Sequence, residues 1–154
     1  MLSPSLSARL ATQLEALPTV LGEGRPEALT RRPSPEKWSA HENLAHLARH
    51  HEVMLERVRR ILSEPAPQLV SYRAEEDPDW PRWAALPTET VLARLGELRK
   101  QLVDRVTSLS DEGLARIGVH SAFGPLTLAS WLEFFLLHEA HHLYVIMRRA
   151  RSAP

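Results

Sequence analysis

The sequence predicts an all-α fold, a four-helix bundle with long crossover connections. Three observations predict it. Apolar residues recur three and four positions apart in four separate stretches of roughly twenty residues. Clusters of Pro and Gly divide those stretches, and no run alternates apolar and polar residues as a half-buried strand would. The chain has 154 residues, enough for one core, and is read as a single domain over 1–154.

Each element has its own signal. Ser3-Pro4 forms an N-cap and first-position pair, after which Leu6, Leu10, Leu14 and Leu17 repeat at helical spacing until Gly22 and Gly24 end the helix. Thr30 to Trp38 is a connector with two prolines. "SAHE", Ser39 to Glu42, matches the capping box, and a second helix is expected from there to about Leu62, where "SEPAPQ" stops it. Leu69 to Pro87, with two Trp, several acids and three prolines, reads as an irregular crossover. A third helix is expected over about Thr88 to Leu109, with Leu92, Leu95, Leu102, Val106 and Leu109 along one side. Gly118 to Leu128 reads as a loop, and Thr127 can cap a fourth helix running to about Arg149. The basic run Arg148, Arg149 and Arg151 suits a helix C-terminus.

Composition excludes several classes. Lys plus Arg equals Asp plus Glu at 19 each, so no overall field favours nucleic acid or anionic lipid. No cysteine is present, which removes disulfides, thiolate metal sites and an intrinsic thiol nucleophile. The N-terminus lacks the pattern of a secretory signal, and no apolar run approaches the ~20 residues that span a bilayer. A cytoplasmic location, with no membrane and no nucleic-acid partner, is the expectation.

Histidine is the informative residue. Of the 8, His41, His46, His50 and His51 lie on helix two and His138, His141 and His142 on helix four, leaving only His120 elsewhere. Residues four apart on a helix project within about 40 degrees of each other, so His138 and His142 stand side by side. They share a face with Trp131, Phe134, Phe135 and Val145, expected to be core. Two imidazoles one turn apart on such a helix are suited to hold one metal ion. His138-Glu139-x-x-His142 formally matches the H-E-x-x-H pattern of zinc proteases. That class needs a third ligand further along the chain, and no His or acid follows His142. The third ligand must therefore come from earlier. On helix two, His51 lies within the apolar face and His46 and His50 at its margin, and periodicity does not choose among them. The mid-face His51 is the better hydrogen-bonded core residue; His41, His50 and His141 read as solvent-side or supporting residues.

Two blocks of sequence resemble the DinB/YfiT-like family of metal-binding four-helix bundles. "WSAHENLAHLARHHE", Trp38 to Glu52, is similar to its W-S-x-x-E-x-L-x-H-L block. "FGPLTLASWLEFFLLHEAHHLYVI", Phe123 to Ile146, is similar to its G-x-x-T-L…H-x-x-H-H-x-x-x-I block. The resemblance implies that the metal ligands are His46, His138 and His142. At Tyr144-Val145 the chain departs from many relatives, which have small and amide residues there.

A three-histidine site leaves coordination positions for water or substrate, the open geometry of a catalytic ion. A divalent ion is expected, Zn or Ni first. The resemblance implies a metal-dependent enzyme acting on a small molecule, either a thiol-dependent S-transferase with a low-molecular-weight thiol as co-substrate or a hydrolase. Tyr72, Asp79, Trp80 and His120 are candidates to line the pocket mouth. The contrasting expectation is a non-catalytic metal-binding stress-response protein acting as a homodimer, its interface formed by a second apolar side of helix four through Leu132, Leu136, Leu143 and Met147.

Overall fold

Four helical segments pack around a shared core in the computed structural model, which describes residues 1–22 and 26–151. Gly24, expected to help end helix one, lies outside the described residues. Helix one is not continuous. It runs as α1 (Pro4–Thr12), a 3₁₀ turn (Gln13–Ala16) and α2 (Leu17–Leu21), ending at Gly22 with φ 59°. Pro18 explains the break, because a proline there cannot donate to the preceding turn and its ring crowds it. A short α3 (Pro26–Thr30) follows.

The second helix, α4 (Ala40–Ser63), begins at the expected box. Ser39 Oγ accepts from the Glu42 amide at 3.1 Å, and the Glu42 carboxylate accepts from the Ser39 amide at 2.9 Å. Ser39 is 1% exposed, so its replacement leaves an orphan donor out of reach of water. Ser39→Ala is expected to cost about 1–2 kcal/mol of unfolding free energy, read by urea denaturation. An effect below about 0.3 kcal/mol would mean that the box contributes nothing.

The crossover contains β1 (Gln68–Leu69), a 3₁₀ turn (Ala74–Glu76) and α5 (Trp80–Ala84), before α6 (Thr88–Thr107). A second connection holds α7 (Asp111–Ala115), β2 (Ile117–His120) and β3 (Gly124–Thr127), and leads into α8 (Leu128–Ala150), capped by Thr127. The expectation that no sheet forms is corrected here. β2 pairs in parallel with β1 and antiparallel with β3. With two to four residues each, these strands are too short to print an alternation on the sequence. The sheet pins both crossovers together at one end of the bundle. Gly118 permits it, since a Cβ there would stand 2.8 Å from Ile61 Cγ1 and 2.9 Å from the Trp131 indole nitrogen.

α4 packs against α6 and α8, and α8 is also covered by α1, α2 and α3. That cover accounts for the second apolar side of α8 from which a dimer face was expected. Leu132, Leu136 and Leu143 are buried inside the bundle, and Met147 is partly buried against it. α8 is apolar on more than one side because it packs against α4 as well as against α1, α2 and α3. Among the described residues, no helix is long and apolar enough to cross a membrane.

The apolar core falls into two halves. One holds Leu6, Leu10, Met54, Ile61, Leu102, Trp131 and Phe135, and the other Val20, Leu44, Leu47, Trp83, Leu95 and Ile146. Between them lies a polar waist, and the histidines are in it.

Candidate metal centre

The waist has two sides. On the inner side Arg99 of α6 pairs with Glu139 of α8 by a short contact, and Arg99 Nη1 donates to the Leu10 carbonyl at 3.1 Å. Gln13 donates to Glu139 at 2.8 Å. His51 Nδ1 donates to the Leu47 carbonyl at 2.7 Å, which leaves its Nε2 to accept from Arg99 Nε at 3.2 Å. His51 and Glu139 are 0% exposed and Arg99 6%. Burial, followed by the Arg99 charge, pushes His51 down to about 3, so it is neutral and its 3.3 Å approach to Glu139 is not an ion pair. His51 is therefore the core residue its mid-face position suggested. Glu139 is bound into this network, away from the paired imidazoles, so it is no general base of an H-E-x-x-H site. Sequence reasoning missed Arg99 and Gln13, which read as ordinary helix-surface residues.

On the outer side His46 of α4 meets His138 and His142 of α8. One ligand atom from each lies within 4.8 Å of the others. His46 Nε2 and His138 Nε2 are 3.2 Å apart, close to the roughly 3.4 Å between two nitrogens at about 2.1 Å from one tetrahedral ion. The ring of His142 is 4.4 Å from that of His46 and 4.5 Å from that of His138. Of the three candidates on α4, His46 is the one whose ligand atom lies in this converging group.

The third imidazole is oriented by an amide. Asn43 Nδ2 donates to the Ser39 carbonyl at 2.8 Å, which fixes its side-chain oxygen towards His142. His142 Nδ1 donates to that oxygen at 2.7 Å, leaving the Nε2 lone pair for an ion. The sequence offered no signal for this contact beyond the presence of an Asn on the same turn as the capping box. His46 and His138 have no such partner, since Nδ1 of each is buried without a hydrogen bond. Their Nε2 atoms face each other, and two lone pairs so directed need a proton or a cation between them. The donor set fits a divalent ion of the kind imidazole prefers, Zn or Ni among them.

Asn43→Leu keeps the volume and removes the acceptor. It is expected to weaken divalent metal affinity by about 10- to 100-fold in competition with a chromophoric chelator. Unchanged affinity would mean that the amide does not orient His142.

Electrostatics keeps these rings neutral, as ligation requires. Burial, then the neighbouring His138, pushes His46 down to about 3; burial, then His141, pushes His138 down to about 4. Burial, then His46 and His138, pushes His142 down to about 2, and burial holds His50 well below its ordinary value. Every shift is a depression from 6.5, so the associated stability is present above pH 6.5 and is lost as pH falls from there. Each imidazole kept neutral costs about 1.4 kcal/mol per pH unit below 6.5. Glu139 is pushed up by burial against the pull of Arg99 and so acts in the opposite sense, but it is one carboxyl against five rings. The metal-free protein is expected to unfold before pH 4, followed by circular dichroism. A melting temperature flat from pH 7 to pH 4 would contradict this.

Around the site stand aromatic rings. Trp38 lies 5.0 Å from His46 and 6.4 Å from His142, Tyr72 stacks on His46 at 5.4 Å, and Trp80 meets Trp38 at 4.9 Å. The Tyr72 hydroxyl donates to Asp77 at 2.9 Å, and burial and that carboxylate push the phenol up. Asp79 pairs with Arg49 at 3.3 Å. Of the four expected pocket-mouth residues, Tyr72 and Trp80 touch the site rings. His120 does not: it packs on Phe123, Trp131 and Phe134, and its Nδ1 accepts from the Ala122 and Phe123 amides. His41 and His50, expected near solvent or in support, are buried: His41 bonds Thr88 and Ala84, and His50 lies 4.2 Å ring to ring from His138. His141 is exposed.

The chain is similar to several known proteins. The model of the DinB superfamily matches residues 9–146. A protein of Oceanobacillus iheyensis named "Putative metal-dependent hydrolase OB0413" is 26% identical over 140 residues, covering 85% of this chain and 78% of its own. The chain superposes on the Bacillus subtilis protein YfiT with a TM-score of 0.76 at 22% identity, covering 98% of this chain and 89% of that one. YfiT is described as "a probable metal-dependent hydrolase with an unusual four-helix bundle topology". TT2238, described as a four-helix bundle protein, superposes with a TM-score of 0.65 at 27% identity, covering 92% and 94%.

Proposed function

Since the chain belongs to the DinB superfamily, we propose that it is a metal-dependent enzyme in which His46, His138 and His142 hold a divalent ion, Zn or Ni, and a small organic electrophile is the substrate. The observation that carries this reading is the convergence of three neutral imidazole nitrogens with no fourth protein ligand among the described residues. An ion so held supplies Lewis acidity and lowers the pKa of a bound water or thiol towards neutrality.

The reaction class we favour is transfer of a low-molecular-weight thiol to the electrophile, with hydrolysis second. The reason is the state of the neighbouring acids and bases. Glu139 is bound by Arg99 and Gln13, Asp77 by Arg49 and Tyr72, and the Tyr72 phenol by Asp77. Among the described residues these carboxylates are engaged and not free to take a proton from water, whereas a thiol, intrinsically far more acidic than water, gives its proton to solvent with the help of the ion alone. With no cysteine in the chain, the sulfur must come from a separate molecule. Trp38, Trp80 and Tyr72 shield the nucleophile from bulk solvent, and Asn43 fixes His142. The test is a metal-loaded sample assayed with cysteine, glutathione and coenzyme A against a bimane electrophile, beside nitrophenyl ester and phosphoester hydrolysis. Thiol transfer that disappears in His142→Ala supports the reading. Ester hydrolysis without thiol transfer would favour the hydrolase, and a loaded ion with no turnover in any assay would favour the non-catalytic metal protein.

A further inference from the structure

One cavity of the described structure is not lined by the three imidazoles. It has a volume of about 440 Å³ and lies beside them, between α4 and the β1 crossover, with Tyr72 as the shared wall. Tyr72 lines this space, and its ring stacks at 5.4 Å on His46 and 5.6 Å on His50.

Charge in this cavity is matched at every lining residue but one. Arg49 is paired with Asp77 and Glu52, Arg60 with Glu64, and Arg73 with Glu76. Glu56 is paired with Arg59, which lies outside the lining. Arg57 has no carboxylate within ion-pair distance among the described residues, yet it is only 6% exposed. Its Nη2 donates to the Val70 carbonyl at 2.8 Å, and its guanidinium lies 5.1 Å above the Trp131 ring. The comparison within the molecule is direct. Arg99 is buried to the same degree and has Glu139 as its counter-charge. Burial pushes Arg57 down to about 10, which leaves it charged at neutral pH. A buried charge without a counter-ion costs several kcal/mol, and a guanidinium does not escape by losing its proton. The described residues supply no such counter-charge, and a bound anion would.

We propose that the cavity walled by Arg57, Val70 and Tyr72 is a carboxylate-binding site, and that it holds the acidic end of the small molecule that reacts at the neighbouring imidazoles. One guanidinium matches one carboxylate in charge and in its two-pronged geometry. A phosphate dianion would need a second free cation, and Arg49, Arg60 and Arg73 are already engaged. Proximity links the two sites: after burial and one neighbouring imidazole, the Arg57 charge is the next felt at both His50 and His138. The substrate class that follows is an acidic electrophile, with its reactive carbon on the far side of Tyr72 from its carboxylate. This second clause rests on the metal-dependent reading above; the carboxylate site does not.

The test titrates the metal-loaded full-length protein with butyrate, its neutral analogue butyramide and inorganic phosphate, by calorimetry and by the ¹⁵N–¹H signal of Arg57 Nε. Butyrate is expected to bind at least tenfold more tightly than butyramide or phosphate and to shift the Arg57 signal. Arg57→Met is expected to weaken butyrate at least tenfold, and His46→Ala to leave it within twofold because the two sites are separate. If Arg57→Met does not fold, the Arg57 signal in the unaltered protein decides alone. Butyrate no tighter than butyramide, or an unmoved Arg57 signal, overturns the site. Phosphate binding more tightly than butyrate overturns the carboxylate assignment. Butyrate binding lost in His46→Ala would mean that the carboxylate binds an ion at the imidazoles instead. Failure of the protein to retain any metal would overturn the metal reading and leave the butyrate result standing.

Discussion

Alanine at His142 is expected to lower divalent metal affinity by at least about a hundredfold, measured against a chromophoric chelator. Losing an outer hydrogen bond to a ligand costs 10- to 100-fold, and losing the ligand itself costs more. His46→Ala and His138→Ala are expected to do the same, because each carries one of the three imidazole nitrogens that converge among the described residues. The metal-free forms of these variants should remain folded, since the two apolar halves of the core lie above and below the waist and do not depend on it. An alanine variant within tenfold of the parent would remove that residue from the site. His50→Ala provides the contrast. Its ring is 4.2 Å from that of His138 but lies outside the converging set, so metal affinity should change by much less.

Arg99→Met is expected to destabilise the fold by about 3–5 kcal/mol, read by denaturant unfolding and as a fall of roughly 10 °C in Tm. The substitution leaves the Glu139 carboxylate buried at 0% exposure with only Gln13 to bond it, and frees the Leu10 carbonyl. Arg99 and its partners tie α1, the 3₁₀ turn, α4 and α8 to α6. The double variant Arg99→Met with Glu139→Leu removes both charges and should recover most of the loss, which distinguishes an uncompensated charge from a packing defect. A double variant as unstable as the single one would contradict this account.

The sequence by itself determined what depends on neighbours along the chain. The capping box of Ser39 and Glu42, the apolar spacing of α4, α6 and α8, and the adjacency of His138 and His142 are events within one turn of helix. A period and a cap express them directly. The same local logic marks Gly22 as punctuation, whereas the 3₁₀ turn between α1 and α2, next to Pro18, needs the full backbone to be seen.

Tertiary structure alone decided which residues meet across the bundle. Periodicity left three histidines of α4 open. Only the approach of α8 selects His46, because its partner His138 is 92 positions away and no local spacing encodes that distance. Asn43 and His142 are 99 positions apart, and the pairing that orients the third imidazole is likewise invisible to a pattern. Arg57 and Arg99 both read as polar residues on helices with apolar faces. Burial made one the partner of Glu139 and left the other without a counter-charge, since desolvation acts on position in the fold and not on position in the chain.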